Sequence, residues 1–294
     1  MKISFVVFGL GFWALAAIQH LWLGDFFGRL PADYVSETRY AAKCRSHQSP
    51  TSLAEEYESV IRRRDQTLST GFDHAIIQGD MHWLTPSGVS IFEILNLYGV
   101  DRRTRRNLRG YGNQERFGQF LFPPHVSKRK YDVWDPLYVG PRVATFHHEE
   151  SVEGLPVYVF SFVVDGIDET VGYSSLPDVP EKYRATTYAK GRICVEPNSG
   201  IVVDYEETGV SHFVDPKTGE HAGEILEWSD HYTRDTRAAQ LRLATREMWR
   251  MFALERGLPG ALLLTGLVFA ASGFQRKKNL LPARAPAGLL EIVR

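Results

Sequence analysis

Val157-Tyr158-Val159-Phe160-Ser161-Phe162-Val163-Val164 decides what kind of chain this is. Tyr158, Phe160, Phe162 and Val164 alternate with Val157, Val159, Ser161 and Val163, so both faces of an extended segment are apolar or small. The repeat is two residues, not the 3.6 of a helix. A strand apolar on both sides belongs inside a sheet with material packed above and below it. Residues 143–146 supply the strand before it, and Ser151-Val152-Glu153-Gly154-Leu155-Pro156 makes the turn between them.

Downstream, one turn pattern occurs twice. Glu196-Pro197-Asn198-Ser199-Gly200 separates residues 192–195 from 201–205, and Asp215-Pro216-Lys217-Thr218-Gly219 separates 210–214 from 224–228. In each, Pro pre-sets one turn residue, the preceding acid accepts a backbone N–H, and Gly supplies positive φ at the exit. Consecutive antiparallel hairpins follow. Upstream, Ser52 stands as an N-cap with Glu55 three residues later, which predicts a helix or helical turn within 52–64. No linker interrupts the middle region, so residues 24–235 read as one β-rich domain.

The two ends differ from this middle. Residues 3–23, ISFVVFGLGFWALAAIQHLWL, contain no Asp, Glu, Lys or Arg and are long enough as a helix to cover a hydrocarbon core of about 30 Å. Ala14-Leu15-Ala16 offers a signal-cleavage site, but the apolar run continues beyond it without a polar region, which favours a retained anchor. Residues 257–274, GLPGALLLTGLVFAASGF, run directly into Gln275-Arg276-Lys277-Lys278. That is a stop-transfer pattern, and the positive-inside rule places the basic cluster in the cytoplasm. Both termini are then cytoplasmic, with the domain between them outside the plasma membrane and residues 275–294 a cytoplasmic tail. Just before the second span, Ala238, Leu241, Ala244, Met248 and Phe252 recur at helical spacing, so residues 236–256 form a juxtamembrane helix, with a kink near Gly257 and Pro259.

Composition removes other classes. With 34 basic against 35 acidic side chains the formal charge is −1, so a generally nucleic-acid-binding chain is excluded. A mean hydropathy of −0.23 excludes a polytopic transporter. Chemistry is sparse. His147-His148-Glu149-Glu150 is the densest ligand-type group, but neighbouring strand residues face opposite ways. No metal-ligand motif, nucleophile elbow or phosphate loop occurs, so the sequence predicts no catalytic residue, no metal and no cofactor.

Three sets of residues remain as candidates. Arg102, Arg103, Arg105 and Arg106 belong to a run with five arginines in eight positions, suited to an acidic headgroup or equally to a solvated hairpin edge. Tyr158, Phe160 and Phe162 line a cavity for an amphiphile or fill a core. Cys44 and Cys194 both fall in the proposed external portion, where they form a disulfide or remain two buried thiols.

Several segments together resemble the PorA-like family of actinobacterial cell-envelope proteins. They are Leu30-Pro31-Ala32-Asp33, Asp101-Arg102-Arg103-Thr104, Phe120-Leu121-Phe122-Pro123, Tyr131-Asp132-Val133-Trp134-Asp135, the run from Val152 to Phe160 and the run from Val195 to Asp204. The resemblance implies an N-terminal anchor, a large ectodomain and a C-terminal span. A fainter resemblance, carried by Val152–Tyr158 and Glu196–Ile201, runs to the class B scavenger receptors and implies a lipid-holding ectodomain.

The resulting expectation is an α+β chain: a predominantly antiparallel β ectodomain anchored by N-terminal and C-terminal transmembrane helices. Its expected role is non-enzymatic, binding or transferring a lipid or other amphiphile in the cell envelope. Expected partners are the bilayer, such a ligand and other envelope proteins, with no nucleic acid. A structural scaffold and an oligomeric, porin-like pore are the alternatives.

Overall fold

The computed structural model describes residues 3–19, 26, 28–134, 141–171, 173 and 179–278. Two compact units emerge: Gly28–Met251, and a second assembled from the chain ends Met1–Phe27 and Phe252–Arg294. Of the expected N-terminal span, residues 20–23 lie outside the described residues, as do residues 279–294 of the expected tail.

The first unit is built on eleven strands: β1 (Val35–Ser46), β2 (Glu55–Thr70), β3 (His74–Leu84), β4 (Ser90–Asp101), β5 (Asn107–Gly112), β6 (Lys130–Trp134), β7 (Pro141–Val152), β8 (Leu155–Asp168), β9 (Arg184–Val195), β10 (Val202–Val214) and β11 (His221–Tyr232). They form one sheet in the order β5-β4-β3-β2-β1-β11-β10-β9-β8-β7-β6. Two meanders are therefore joined where β1 pairs antiparallel with β11, Tyr40 opposite Tyr232.

The sheet curls until its edges meet. Gln119 bridges Arg106, just before β5, on one side and Val133 of β6 on the other. Asn107 N–H donates to Gly118 O at 2.9 Å, and Trp134 N–H to Gln119 O at 2.8 Å. Gly118 has φ +78°, and a Cβ there would lie 2.4 Å from Asp132 O, so the closure requires glycine. Closing the edges removes unpaired strand groups that would otherwise be open to other chains.

Residue alternation explains the curl's inside and outside. On β3 every second residue is buried along the whole strand. Glu37, Arg39, Lys43, Glu58, Arg64, Lys190 and Glu206 are exposed on the outer face. Strand β8 shows why its sequence is apolar on both sides. Phe160, Phe162 and Val164 pack inward with Phe122, Tyr131 and Tyr205. Val157 and Val159 pack on the opposite face with Cys194, Val203, Leu241 and Ala244. The turns at 153–154, 196–200 and 215–219 form as expected: Gly200 N–H reaches Glu196 O at 2.9 Å and Gly219 N–H reaches Asp215 O at 2.8 Å.

The helix expected within 52–64 does not form; residues 55–64 belong to β2. Ser59, Ile61 and Asp65 are buried on one face of the strand, which pairs along both sides with β1 and β3. Sheet partners on two sides override a local capping signal. Ser52 instead closes a turn, its Oγ accepting from Ser49 N–H at 3.0 Å.

Helix α2 (Arg234–Phe252) follows β11 and belongs to the same compact unit. Thr233 Oγ1 caps it by accepting from Thr236 N–H at 3.3 Å. Its Leu241 and Ala244 are the buried positions that the helical spacing anticipates. A π-helical turn, Ala253–Gly257, comes next, where the sequence predicts a kink.

The second unit pairs α1 (Ile3–Ile18) with α3 (Leu258–Lys278). They run antiparallel: Trp13 Nε1 donates to Leu263 O at 3.2 Å, and Gln19 Nε2 to Leu254 O at 2.9 Å. Phe12 stacks on Phe269 at 5.7 Å. Among the described residues one helix, Arg234–Ser272, is long and apolar enough to cross a membrane, and Val7–Ile18 is a shorter apolar helix.

Candidate ligand cavity

A cavity of about 510 Å³ lies within Gly28–Met251. Its walls come from around the rolled sheet: Thr38 and Tyr40 of β1, Arg63 and Asp65 of β2, Arg142 of β7, Tyr205 of β10 and Tyr232 of β11. Phe120 and Phe122 of the closing segment complete the ring. Helix α2 adds Gln240, Leu243, Glu247 and Met251, a face adjacent to the one that packs on β8. Helical geometry thus gives α2 two tasks, since residues 241, 244 and 248 point one way and 240, 243, 247 and 251 another.

The lining is apolar with charges set into it. Tyr40 meets Tyr205 and Tyr232 edge-on at 5.4 and 5.0 Å. Burial pushes the Tyr232 hydroxyl well above its ordinary range, and burial followed by the Asp65 charge does the same to Tyr34. Arg63 Nε donates to Asp65 Oδ2 at 2.8 Å, yet burial still holds the Asp65 carboxyl above its ordinary value. Across the cavity Arg142 Nη1 reaches Glu207 Oε2 at 2.5 Å, and the Tyr205 hydroxyl donates to the same oxygen. Arg105 Nη1 donates to Phe122 O at 3.0 Å and Ser199 O at 2.8 Å, and burial pulls its guanidinium down to about 10.

The arginine run is thereby divided. Arg105 alone of the four borders the cavity. Arg102 instead ties surface loops together, donating to Leu30 O at 2.9 Å and Gly71 O at 3.0 Å. Arg103 and Arg106 are exposed. Left-handed backbone at Arg105, φ +57°, separates it from its neighbours in direction.

Tyr158, Phe160 and Phe162 do not line the cavity. Phe160 and Phe162 are fully buried core side chains, Phe160 lying 5.0 Å from Phe122 and 5.7 Å from Tyr131. Gly191 makes room for Phe162, whose Cζ would stand 2.5 Å from a Cβ at that position. Tyr158 is half-buried beneath Lys128 and edge-on to Phe146.

Of the two alternatives for the cysteines, disulfide or buried thiols, the structure shows the second: Cys44 and Cys194 are both free and buried. Their strands, β1 and β9, are separated by β11 and β10. Three strand spacings amount to about 14 Å, whereas a disulfide needs Cα atoms about 4.4–6.8 Å apart. Cys44 Sγ lies 3.9 Å from Ser59 Oγ, and Cys194 Sγ 3.5 Å from Glu150 Oε1. Burial raises the two thiols to about 11 and about 12 respectively.

Sequence reading missed Asp65, Arg142, Trp134 and Tyr232 as cavity residues. A signal existed for Asp65: it follows Ile61 and Arg63 at two-residue steps, on the inward side of β2. Arg142 and Tyr232, on β7 and β11, share the cavity wall only through the tertiary curl of the sheet, which local patterns do not encode. Four segments that carry the family resemblance do converge here, through Leu30, Phe120, Trp134 and Ser199. Among the described residues no three His, Cys, Asp or Glu side chains gather as a metal site.

The chain thus combines a mostly antiparallel β body that carries a partly open cavity with a helix long and apolar enough to cross a membrane. The family profile described as Porin PorA matches residues 3–275, and the chain belongs to that family. No curated protein matches it. Among solved structures, a MaoC domain protein assigned as a dehydratase from Chloroflexus aurantiacus J-10-fl shares 8% identity over 78% of this chain and 90% of its own, with a TM-score of 0.16. An N-terminal dehydratase from the difficidin assembly line shares 11% over 79% and 87%, with a TM-score of 0.13. Neither likeness carries an argument about fold or activity.

Proposed function

We propose that this is a non-enzymatic cell-envelope membrane protein whose β body holds a lipid or similar amphiphile in its cavity. The cavity is the observation that supports the reading. Its volume of about 510 Å³ falls in the range of about 300–1,000 Å³ that small-molecule sites occupy. Leu30, Phe120, Ile193, Leu243 and Met251 offer an apolar wall, and the arginines offer polar anchors. In this reading α1 and α3 both cross the plasma membrane, both termini are cytoplasmic, and the β body lies outside. The antiparallel contacts of α1 with α3 support a retained N-terminal helix, since a cleaved signal has no use for a fitted partner.

Exposed charges on the outer strand face argue against the sheet itself as a membrane barrel. An arginine or lysine facing lipid at the bilayer midplane costs about 2–4 kcal/mol, and Arg39, Lys43, Arg64 and Lys190 all face outward. The family's description as a porin favours a second reading, in which helices from several copies form a pore.

The test uses full-length protein in nanodiscs of zwitterionic lipid, titrated with a fluorescent fatty acid. Saturable uptake that Leu243→Trp removes by filling the cavity is expected. Uptake absent from the wild type, or unchanged by Leu243→Trp, overturns the cavity assignment. Unitary conductance steps from the same protein in planar bilayers establish the pore reading instead.

A further inference from the structure

The cavity wall carries more positive charge than its own carboxylates answer. Six arginines border it, Arg29, Arg63, Arg105, Arg142, Arg246 and Arg250, against three acids, Asp33, Asp65 and Glu247. Arg29 is met by Asp73, Arg63 by Asp65, Arg142 by Glu207, and Arg246 and Arg250 by Glu247. Arg105 is the exception. Its Nη1 meets two carbonyls, its Nε has no hydrogen-bond partner, and no carboxylate lies within ion-pair distance among the described residues.

A second donor stands in the same wall. Trp134 is 7% exposed, borders the cavity, and its Nε1 has no hydrogen-bond partner among the described residues. Buried N–H groups in folded proteins are almost always paired, so an unpaired one at a cavity wall marks a place for an acceptor. Water can accept such bonds in an empty site, but it leaves the guanidinium charge unanswered. An oxyanion satisfies the donors and the charge together, and guanidinium geometry suits carboxylate and phosphate alike.

We propose that the cavity selects single-chain amphiphiles with an anionic oxyacid head, a carboxylate or a phosphate monoester, seated at Arg105 and Trp134. The apolar tail lies along Phe120, Leu243 and Met251. This rests on the amphiphile reading above and adds the head-group chemistry to it. Glu247, whose charge acts on Arg105, is itself paired with Arg246 and Arg250, which weakens its repulsion of the anion.

The experiment measures displacement of a bound fluorescent fatty acid from full-length protein in zwitterionic nanodiscs. The competitors share one chain length: hexadecanoate, hexadecyl phosphate and hexadecanol, with inorganic phosphate as the head without a tail. Both acids are expected to compete at least tenfold better than hexadecanol. Arg105→Gln abolishes that preference and leaves hexadecanol unchanged, whereas Arg105→Lys restores part of it. Trp134→Phe keeps an aromatic ring, removes the donor and weakens the acids severalfold; it carries the test if Arg105→Gln fails to fold. Equal competition by hexadecanol and the acids overturns the head-group assignment while the amphiphile reading stands. Inorganic phosphate matching hexadecyl phosphate overturns it in favour of a plain anion site. A probe that does not bind at all removes both readings.

Discussion

Arg142 of β7 and Glu207 of β10 meet at 2.5 Å inside the rolled sheet, each side chain 4% exposed, although two strands lie between theirs in the sheet. The guanidinium also sits 4.3 Å over the Phe162 ring, and Trp228 Nε1 donates to the other Glu207 oxygen at 3.1 Å. A charge sealed this way depends on its partner, because removing one member of a buried pair costs about 3–5 kcal/mol. Arg142→Met is expected to destabilise Gly28–Met251 by that amount in urea unfolding. Adding Glu207→Gln to Arg142→Met should recover most of the loss, since the stranded charge is then gone. A loss below about 1 kcal/mol, the scale of an exposed pair, would show that water reaches the site.

Two buried thiols give a different chemical signature from one disulfide. With Cys44 raised to about 11 and Cys194 to about 12, neither is a thiolate at neutral pH. Native protein should resist a membrane-impermeant maleimide at pH 7, and denaturation should expose both groups without any reductant. Reductant should leave the thermal midpoint unchanged. Labelling that appears only after reduction would restore the disulfide.

His212 and His221 stack with ring centroids 4.4 Å apart. Burial first, and then the neighbouring His221, hold the His212 imidazole below its ordinary value of 6.5, with Glu224 pulling the other way. The unfolded chain therefore binds the proton more readily than the folded one. Stability from this source is present above about pH 6.5 and declines as pH falls through that value. His212→Phe should flatten the dependence of the thermal midpoint on pH between about 5 and 7. An unchanged slope would place the titration elsewhere.

What the sequence disclosed follows from the range over which each interaction acts. Hairpins at 196–200 and 215–219 are local: Pro, Gly and an acid within five residues determine them. The dual burial of β8 was legible because Val157 and Phe160 state their environments through their own side chains. Residues 52–64 misled because Ser52 and Glu55 form a capping pattern while the strand's partners, β1 and β3, are settled by pairing at a distance. Site residues were hardest. The five arginines between 102 and 109 looked like one surface, but backbone direction at Arg105 sends that side chain inward while Arg103 and Arg106 stay in solvent. Arg142 and Tyr232, on β7 and β11, come to one cavity wall through the curl of a sheet whose pairings lie far apart in sequence.

The pairing of α1 with α3 depends on two small residues. A Cβ at Gly9 would lie 2.8 Å from Gly266 O, and a Cβ at Gly266 would lie 2.5 Å from Trp13 Cδ1. Small residues let helices approach where no hydrophobic effect drives them together, and the gain is close packing plus hydrogen bonds such as Trp13 Nε1 to Leu263 O. Gly266→Leu is expected to push the helices apart and cost about 1–3 kcal/mol, as overpacking does. Gly11 supplies the control, because nothing lies within 4 Å of a Cβ there. Gly11→Leu adds the same bulk to the same helix pair without meeting the interface. Thermal size-exclusion profiles of the two full-length variants in detergent separate the outcomes: a lowered midpoint for Gly266→Leu alone supports the fitted pair. Equal profiles would mean that α1 and α3 do not rely on each other, and the case for a retained N-terminal helix would lose its structural support.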